Sequence, residues 1–406
     1  MIGEVDVWSL SSYDEGIPHD VFTVLRNEAP VYRHADPLLP AGHWAITSHA
    51  DVQFISRNPE IFSSHEKTCL LDEMTDDLIA QQQMMMINLD PPDHSRLRAL
   101  VNRGFTPRMI GKLREQLEVT CEGILDRALA KAKATGSVEA VTEIASDLPL
   151  VVIADLMGVP QEDRHKLFDW SNRMVGSEDP DLGGGFDGAF EATLELYAYA
   201  HNLQAEKRAC PADDIVTRFI TKDEDGNELS DLEFDMFFLL LTVAGNETTR
   251  NAISGGIKAF IEHPDQWERL RADRSLAKTA ADEIVRWVTP VMDFRRTAMK
   301  DVELGGVTIK AGDKVIIYYT SANRDESVFA DPFTFDIGRD PNPHLGFGGG
   351  GPHFCLGRHL ALLEIEIMFE SLARRVERLD FAGAPQRMRS HFLNGLKELQ
   401  ISLQPA

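Results

Sequence analysis

The sequence predicts a mainly helical protein with small β-sheets, and three observations support this fold class. Apolar residues recur at helical spacing over much of the stretch from 109 to 288. Short runs of β-branched and aromatic residues at 31–33 and 43–46 lie between turn-forming residues and predict strands near the N-terminus. No repeat or linker rich in proline, glycine and serine divides the 406 residues, so we expect a single domain over residues 1–406.

The composition excludes several classes of protein. With 41 basic and 65 acidic residues the formal net charge is −24, and such a surface repels nucleic acids and anionic membranes. No stretch approaches the ~20 apolar residues that a membrane span needs, and the N-terminus has no apolar signal segment. The four cysteines are too far apart for a disulfide framework or a zinc site. We therefore expect a soluble cytoplasmic monomer without an integral membrane anchor.

The first segment that suggests binding chemistry begins at Pro91 and Pro92. Prolines favour the start of a helix, and on that helix His94 and Arg98 lie one turn apart and share a face. Two cationic donors on one face can bind a carboxylate. The alternative without a functional role is a basic helix face exposed to solvent.

Helical patterns continue from 109 to 157, from 163 to 175 and from about 186, with the glycine run 183–185 before the last. Ser230 and Glu233 then form a predicted capping box that opens a long helix. Its body, residues 236–243, is apolar nearly all round and is predicted to be buried.

Polar residues interrupt this buried helix at Gly245, Glu247 and Thr248. Buried carboxylates and hydroxyls are costly unless they have partners. Thr248 could simply bond back to the carbonyl four residues earlier. The functional alternative is that the helix opens locally beside a bound ligand.

Glu283 and Arg286 lie three residues apart on a further predicted helix, 280–288, which ends at Pro290. Helix geometry alone makes them an ordinary surface ion pair, which contributes little. The segments 302–309, 315–319 and 392–396 are predicted to complete the β structure.

Cys355 lies in the stretch on which the functional prediction depends. It follows a glycine-rich run from Phe347 and precedes a predicted helix, 360–369, that contains neither glycine nor proline. A thiol at a helix N-terminus has a lowered pKa, because the helix dipole and free backbone N–H groups favour the thiolate. The alternatives are an inert buried cysteine and a phosphate-binding loop, but no Lys-Ser/Thr pair closes the glycine run as a phosphate loop requires.

Together these motifs resemble the cytochrome P450 family of haem-thiolate monooxygenases. The signature of the family is an aromatic residue, glycines, a basic residue two positions before a cysteine, and Cys-x-Gly. Here Phe347, His353, Cys355 and Gly357 match it, except that Phe347 lies one residue further from the cysteine than usual and Gly348 takes its place. The resemblance covers nearly the whole chain, with the motifs in the family's order.

The resemblance implies the cytochrome P450 fold, a triangular helical prism with the haem between a long distal helix and a proximal cysteine loop. It implies haem b as the cofactor, with Cys355 as the iron ligand. Phe347 and Gly357 would lie beside the haem, and the propionates would be bound by four residues: His94, Arg98, Arg296 and His353.

The same resemblance assigns the remaining site residues. Glu247 would relay protons, Thr248 would hold the oxygen's water network, and Gly245 would give room for the oxygen. Glu283, Arg286 and Arg339 would form a buried structural cluster.

Three consecutive methionines more often fill a core, but in the family their loop lines the substrate pocket, so they join the predicted pocket residues: Met84, Met85, Met86, Ile87, Val175, Leu241, Ala244, Val291, Met292, Phe294, Phe392 and Leu393. Asp293 beside them is either the partner of a donor or a solvated charge.

The implied function is O2-dependent hydroxylation of a hydrophobic small molecule. Electrons would come from NAD(P)H through a separate ferredoxin reductase and ferredoxin, because the chain carries no dinucleotide-binding fingerprint. The sequence resembles bacterial members that hydroxylate a terminal carbon of sterol side chains, methyl-branched lipids or isoprenoids. The alternatives are a tailoring hydroxylase of a polyketide or other secondary metabolite, a peroxide-driven peroxygenase, and a non-catalytic haem sensor or carrier. The last two would have no use for the pair Glu247 and Thr248.

Overall fold

The protein is described here from a computed structural model, which describes residues 5–36, 39–71, 73–175, 179, 185–211, 215–222 and 226–406. The predicted fold class is confirmed, since helices dominate and the sheets are small. The helices are α1 (His19–Glu28), α2 (His49–Arg57), α3 (Asp76–Gln82), α4 (Asp93–Asn102), α5 (Pro107–Gly111), α6 (Arg114–Thr135), α7 (Asp147–Leu156), α8 (Arg164–Val175), α9 (Gly185–Ala209), α10 (Ile215–Phe219), α11 (Asp231–Glu262), α12 (Pro264–Ala272), α13 (Ala277–Val288), α14 (Tyr319–Ala322) and α15 (Arg358–Arg375).

The strands form one larger sheet and three smaller groups. They are β1 (Val31–Asp36), β2 (Leu39–Ile46), β3 (Phe62–Ser63), β4 (Val138–Glu139), β5 (Asp293–Ala298), β6 (Val302–Leu304), β7 (Val307–Ile309), β8 (Lys314–Tyr318), β9 (Val376–Phe381), β10 (Gln386–Arg387), β11 (Leu396–Glu398) and β12 (Gln400–Pro405). The larger sheet has the order β1-β2-β8-β5-β3, with β2 and β8 parallel and the other pairs antiparallel. The predicted N-terminal strands are therefore confirmed, and Val31 pairs with Ile46.

The long helix α11 runs through the helical core and contacts α7, α8, α9, α13 and α15. The predicted capping box is present, because the Ser230 hydroxyl accepts from the Glu233 amide and the Glu233 carboxylate accepts from the Ser230 amide. The helix continues without a break through its polar segment. In this structure the segment therefore matches the simpler alternative, and a local opening beside a bound ligand stays a hypothesis. The Thr248 hydroxyl instead donates to the Ala244 carbonyl oxygen at 2.8 Å, as in the simpler alternative.

Two further predictions concern the segment 302–309 and the glycine run 183–185. Residues 302–309 form a hairpin, β6 and β7, rather than one strand, because Gly305 and Gly306 adopt positive φ of 57° and 78° and turn the chain. Of the glycine run before α9, Gly183 and Gly184 lie outside the described residues. No helix among the described residues is both long and apolar enough to cross a membrane.

Candidate active site

A cavity of about 240 Å³ lies between α11 and the loop that leads into α15. Part of its wall consists of α11 residues, among them Ala244, Gly245 and Thr248, and another part carries Phe347 and Cys355.

Cys355 lies just before α15 and faces this cavity. Its amide donates to the carbonyl oxygen of Phe347 at 2.9 Å, which closes the loop between them. Burial raises the pKa of the Cys355 thiol, while the backbone N–H groups of Gly357 and Arg358 and the guanidinium of Arg98 act in the opposite direction. Burial of the thiol and the helix start therefore act on this pKa in opposite directions. A bound metal ion would reverse this balance, since a coordinating thiol is deprotonated outright.

The glycine run before Cys355 serves two different purposes. Gly348, Gly350 and Gly351 have positive φ of 95°, 91° and 75°, which other residues rarely adopt. A Cβ on Gly349 would lie 2.6 Å from Ser56 Oγ, and one on Gly351 would lie 2.3 Å from the Ser56 carbonyl oxygen. These two glycines thus allow close packing against α2. In the run, Gly348 alone lines the cavity.

Four basic side chains meet at one edge of the cavity: His94, Arg98, Arg296 and His353. The rings of the two histidines lie 4.3 Å apart between centroids. His94 Nδ1 and His353 Nε2 are buried and have no hydrogen-bond partner among the described residues. Burial lowers the pKa of His94 to about 4, and burial followed by the charge of Arg296 lowers that of His353 well below its ordinary value. Such a cluster is built for an anionic group that supplies the missing acceptors.

Glu247 does not line this cavity. Its carboxylate is fully buried on another face of α11, where it pairs with Arg250 and accepts from the Ser171 hydroxyl of α8 at 3.0 Å. A direct inward relay of protons does not fit this arrangement, because both carboxylate oxygens are engaged away from the cavity.

Gly245 does line the cavity, but packing explains why the position must be glycine. A Cβ at this position would lie 2.4 Å from Ile153 Cδ1 of α7, so glycine allows α7 and α11 to approach closely. The predicted role of making room for oxygen stays a prediction beside this packing role.

The predicted pocket residues divide into two groups. Those that line the cavity are Met86, Ile87, Leu241, Ala244, Val291 and Phe294. Those that do not are Met84, Met85, Val175, Met292, Phe392 and Leu393. Met84 is partly exposed, whereas Met292 and Leu393 are buried in neighbouring packing. Phe392 contacts the pocket only indirectly, since its ring lies 5.5 Å from that of Phe294.

The sequence reasoning missed several cavity residues, including Phe105, Ile153, Phe237, Leu240, Tyr319 and Glu364. Phe237 and Leu240 lie on the same apolar helix as the predicted Leu241, and a helical-wheel reading anchored on Thr248 could have found them. Glu364 is a charged residue inside an apolar helix pattern, which is also a detectable signal.

Glu283, Arg286 and Arg339 come together away from the cavity. Arg286 donates from Nε and Nη2 to the two Glu283 oxygens, each at 2.7 Å, and both side chains are fully buried. Arg339 Nε lies 3.3 Å from Glu283 Oε2. The arginines also donate to backbone carbonyls of the loop 323–334. Glu283 and Arg286 are therefore a buried pair rather than a surface one.

Comparison with known proteins identifies the family. The family model described as cytochrome P450 matches residues 193–399. A steroid C26-monooxygenase from Rhodococcus jostii is 48% identical over 402 residues, covering 97% of this chain and 83% of the relative. The chain belongs to the cytochrome P450 family. A methyl-branched lipid omega-hydroxylase from Mycobacterium bovis is 41% identical, covering 99% of this P450 and 94% of the relative. The structure of Mycobacterium marinum cytochrome P450 CYP268A2 in complex with pseudoionone superposes with a TM-score of 0.91 at 36% identity and covers 99% of both chains.

This P450 is thus a monooxygenase with a haem-thiolate cofactor, a hydrophobic substrate, O2 and a redox partner. The residues around the cavity fit such a cofactor. The cavity presents a cysteine thiol on one wall, and a basic cluster lies at its edge, where two histidine nitrogens lack a partner within the part of the chain that the structure describes. Both features match an iron porphyrin that carries acidic side chains.

Proposed function

We propose that this P450 hydroxylates the side chain of a steroid or a methyl-branched lipid near its terminal carbon. The main support is the similarity over nearly the whole chain to a steroid C26-monooxygenase and a methyl-branched lipid omega-hydroxylase. The cavity wall beside Thr248 is consistent with this proposal, because it is apolar: Ile87, Phe237, Leu240, Leu241, Val291 and Phe294. An apolar wall binds a hydrocarbon chain by excluding water and leaves no polar partner to favour a hydrophilic substrate.

In this proposal Cys355 holds the iron, and His94, Arg98, Arg296 and His353 bind the propionates of haem b. Haem, when bound, would supply the oxidising chemistry, and the Cys355 thiolate would donate electron density to it. The Thr248 hydroxyl, which now donates to the Ala244 carbonyl, turns to hold water or oxygen on the substrate side. Glu247 contributes protons only after its pair with Arg250 breaks and its side chain rotates.

The substrate class can be tested with a spectral binding screen. Purified ferric protein would be titrated with cholesterol, a methyl-branched fatty acid, pseudoionone and a polyketide macrolide, and then supplied with electrons and analysed for products. We expect a blue shift of the Soret band and a product hydroxylated at the chain terminus for one of the first three. Tight binding and turnover of the macrolide alone would instead favour the tailoring hydroxylase.

We further propose that the redox partner is a ferredoxin, reduced by an NAD(P)H-dependent reductase. The predicted docking site consists of Arg108, Lys112 and Arg358. Arg108 and Lys112 are exposed at helix α5, which packs against α15, whereas Arg358 at the start of α15 pairs with Asp282. A small basic patch on an otherwise acidic protein would guide an acidic partner to the thiolate side of the haem. Arg108→Glu and Lys112→Glu should slow reduction by a ferredoxin, most clearly at low salt, whereas Lys300→Glu, at an exposed turn, should not. Equal rates in all three variants would contradict this docking site.

A further inference from the structure

Asp282 lies next to Glu283 on α13 but makes different contacts. Successive positions of a helix point about 100° apart, so Asp282 faces the cysteine loop, residues 345–357, whereas Glu283 faces its buried arginine partners. The Asp282 Oδ1 atom lies 3.2 Å from Nε2 of His344 and 3.3 Å from Nη2 of Arg358. One carboxylate oxygen therefore joins the two ends of the loop that carries Cys355, since His344 precedes the loop and Arg358 begins α15.

The imidazole ring of His344 is held by two hydrogen bonds. Its side chain is 3% exposed, and the Gly346 amide donates to its Nδ1 at 3.2 Å. Because Nδ1 accepts, the proton of the neutral ring is assigned to Nε2, which donates to Asp282. A Cβ on Gly346 would lie 3.1 Å from His344 Nδ1 and 2.6 Å from Val285 Cγ1, so glycine lets the loop lie close to both. Asp282 thus fixes the orientation of a buried ring that holds the backbone of the loop.

The ring of Phe347 lies between the two side chains that Asp282 holds. The centroid of this ring is 5.6 Å from the ring centroid of His344 and 5.6 Å from the guanidinium of Arg358. Phe347 lines the cavity, and its carbonyl oxygen accepts from the Cys355 amide at 2.9 Å. Both partners of Asp282 therefore contact the aromatic residue that is bonded to the cysteine backbone.

Two observations distinguish this arrangement from an ordinary surface ion pair, which contributes little. The carboxylate of Asp282 is only 28% exposed, and its histidine partner is buried. Phe347 also lies one residue further from the cysteine than in the family signature, and Gly348 takes the usual place with a positive φ of 95°. An aromatic ring beside so permissive a residue needs contacts from outside the loop to hold it in one place.

We propose that Asp282 is a positioning residue for the cysteine loop and that it thereby lowers the reduction potential of the haem iron. It acts on Phe347 through His344 and Arg358. Second-shell hydrogen bonds and the access of solvent both tune the potential of a metal site. A fixed ring keeps water from donating hydrogen bonds to the thiolate, and the carboxylate offsets the positive charge of Arg358, so both effects favour the oxidised iron. The inference rests on the proposed ligation by Cys355.

The first test measures the reduction potential of the substrate-free holoenzyme, without a redox partner. Dithionite and redox mediators would supply the one electron that converts ferric to ferrous iron, and absorbance would follow the conversion. Asp282→Asn and His344→Phe should each shift this equilibrium toward the ferrous form roughly threefold or more, and threefold equals ~28 mV for one electron. His344→Gln keeps an N–H donor for Asp282 and should recover part of the shift. The control Glu366→Gln removes a carboxylate that pairs with Arg114 on the surface of α15, and it should match the wild type.

The second test asks whether Asp282 acts through the aromatic ring. In a Phe347→Leu background the ring that Asp282 positions is gone, so Asp282→Asn should move the ferric–ferrous equilibrium much less than it does in the wild type. An equal shift in both backgrounds would show that only the charge of the carboxylate matters, and it would refute the positioning role.

The reduced protein treated with carbon monoxide separates this proposal from the ligation on which it rests. A wild type without the red-shifted Soret band of a thiolate-bound haem would refute the ligation by Cys355 and the proposal with it. A normal band together with equal potentials in the wild type, Asp282→Asn and His344→Phe would refute the role of Asp282 alone. So would failure of both variants to retain haem, which would assign the pair to folding.

Discussion

The rings of His94 and His353 lie 4.3 Å apart, although 258 positions of the chain separate the two residues. Arg98 completes the link between these segments, because its Nη2 donates to the carbonyl oxygen of Phe354 at 2.7 Å. Helix α4 and the cysteine loop are therefore joined through basic residues that line the cavity. Loss of one of these side chains should affect cofactor retention before it affects the fold.

We expect His353→Leu to weaken haem retention. Hydrogen bonds to charged groups contribute about 1.5–3 kcal/mol, so haem should dissociate roughly 10- to 100-fold faster. The measurement is transfer of haem to a scavenging apoglobin, followed by absorbance. His359→Ala is the control, because His359 is exposed on α15. Equal rates of haem loss in the two variants would contradict the propionate assignment.

Thr248→Ala should uncouple oxygen use from product formation. Without the hydroxyl, water on the substrate side has no fixed donor, and reduced oxygen is released as peroxide. We expect the ratio of product to NAD(P)H to fall about tenfold while the rate of NAD(P)H oxidation changes little. Thr248→Ser keeps the hydroxyl and should retain most of the coupling. A product ratio in Thr248→Ala equal to that of the wild type would exclude this role.

The buried cluster around Glu283 should determine stability rather than chemistry. Glu283→Gln leaves Arg286 and Arg339 without their shared carboxylate, and breaking a buried ion pair costs about 3–5 kcal/mol. We expect a large loss in the free energy of unfolding, measured by urea denaturation. Arg378→Ala removes an exposed pair with Asp380 and should change that free energy by less than ~1 kcal/mol. Similar losses in the free energy of unfolding of both variants would show that the buried Glu283 pair contributes no more to stability than an exposed pair.

Local patterns in the sequence predicted the helix order, the capping box at Ser230 and the motif around Cys355. Each of these depends on residues that are neighbours in the chain. The direction of individual side chains was not predictable in this way. Met86 lines the cavity and Met84 does not, since Met84 lies in the turn that follows α3 whereas Met86 begins a 3₁₀ turn. Glu247 faces Arg250 and Ser171 rather than the cavity for a similar reason. Its direction depends on how α11 is rotated against α8, which long-range packing decides.

Stability should fall at acidic pH through His19. Burial, followed by the charge of Arg324, lowers the pKa of His19 to about 3. The unfolded chain therefore takes up a proton near pH 6.5 that the folded protein does not bind until about pH 3. Protonation of His19 therefore leaves the free energy of unfolding unchanged above pH 6.5. Below that pH, the free energy of unfolding decreases as the pH falls towards 3.

His19→Phe should remove much of this acid sensitivity. We expect the wild type to lose on the order of 3 kcal/mol more than the variant between pH 7 and pH 4, measured by urea denaturation at both values. His165→Asn replaces an exposed histidine and should follow the wild type. An equal decrease in the free energy of unfolding of all three proteins would show that His19 does not contribute to the acid sensitivity.

Gly245 provides a direct test of whether packing or oxygen access requires the glycine. A Cβ at this position would lie 2.4 Å from Ile153 Cδ1 and 2.8 Å from Ile153 Cγ1, and overpacking of this kind typically costs about 1–3 kcal/mol. Gly245→Ala should therefore lower the free energy of unfolding, and Ile153→Ala in the same chain should restore a large part of it by removing both atoms. The single variant Ile153→Ala serves as the reference for the cavity that it creates, so that the coupling energy of the pair is obtained from a double-mutant cycle. If the glycine were needed only to leave room for oxygen, Gly245→Ala would have the same free energy of unfolding as the wild type, and the coupling energy would be near zero. The variant would then lose only catalytic turnover.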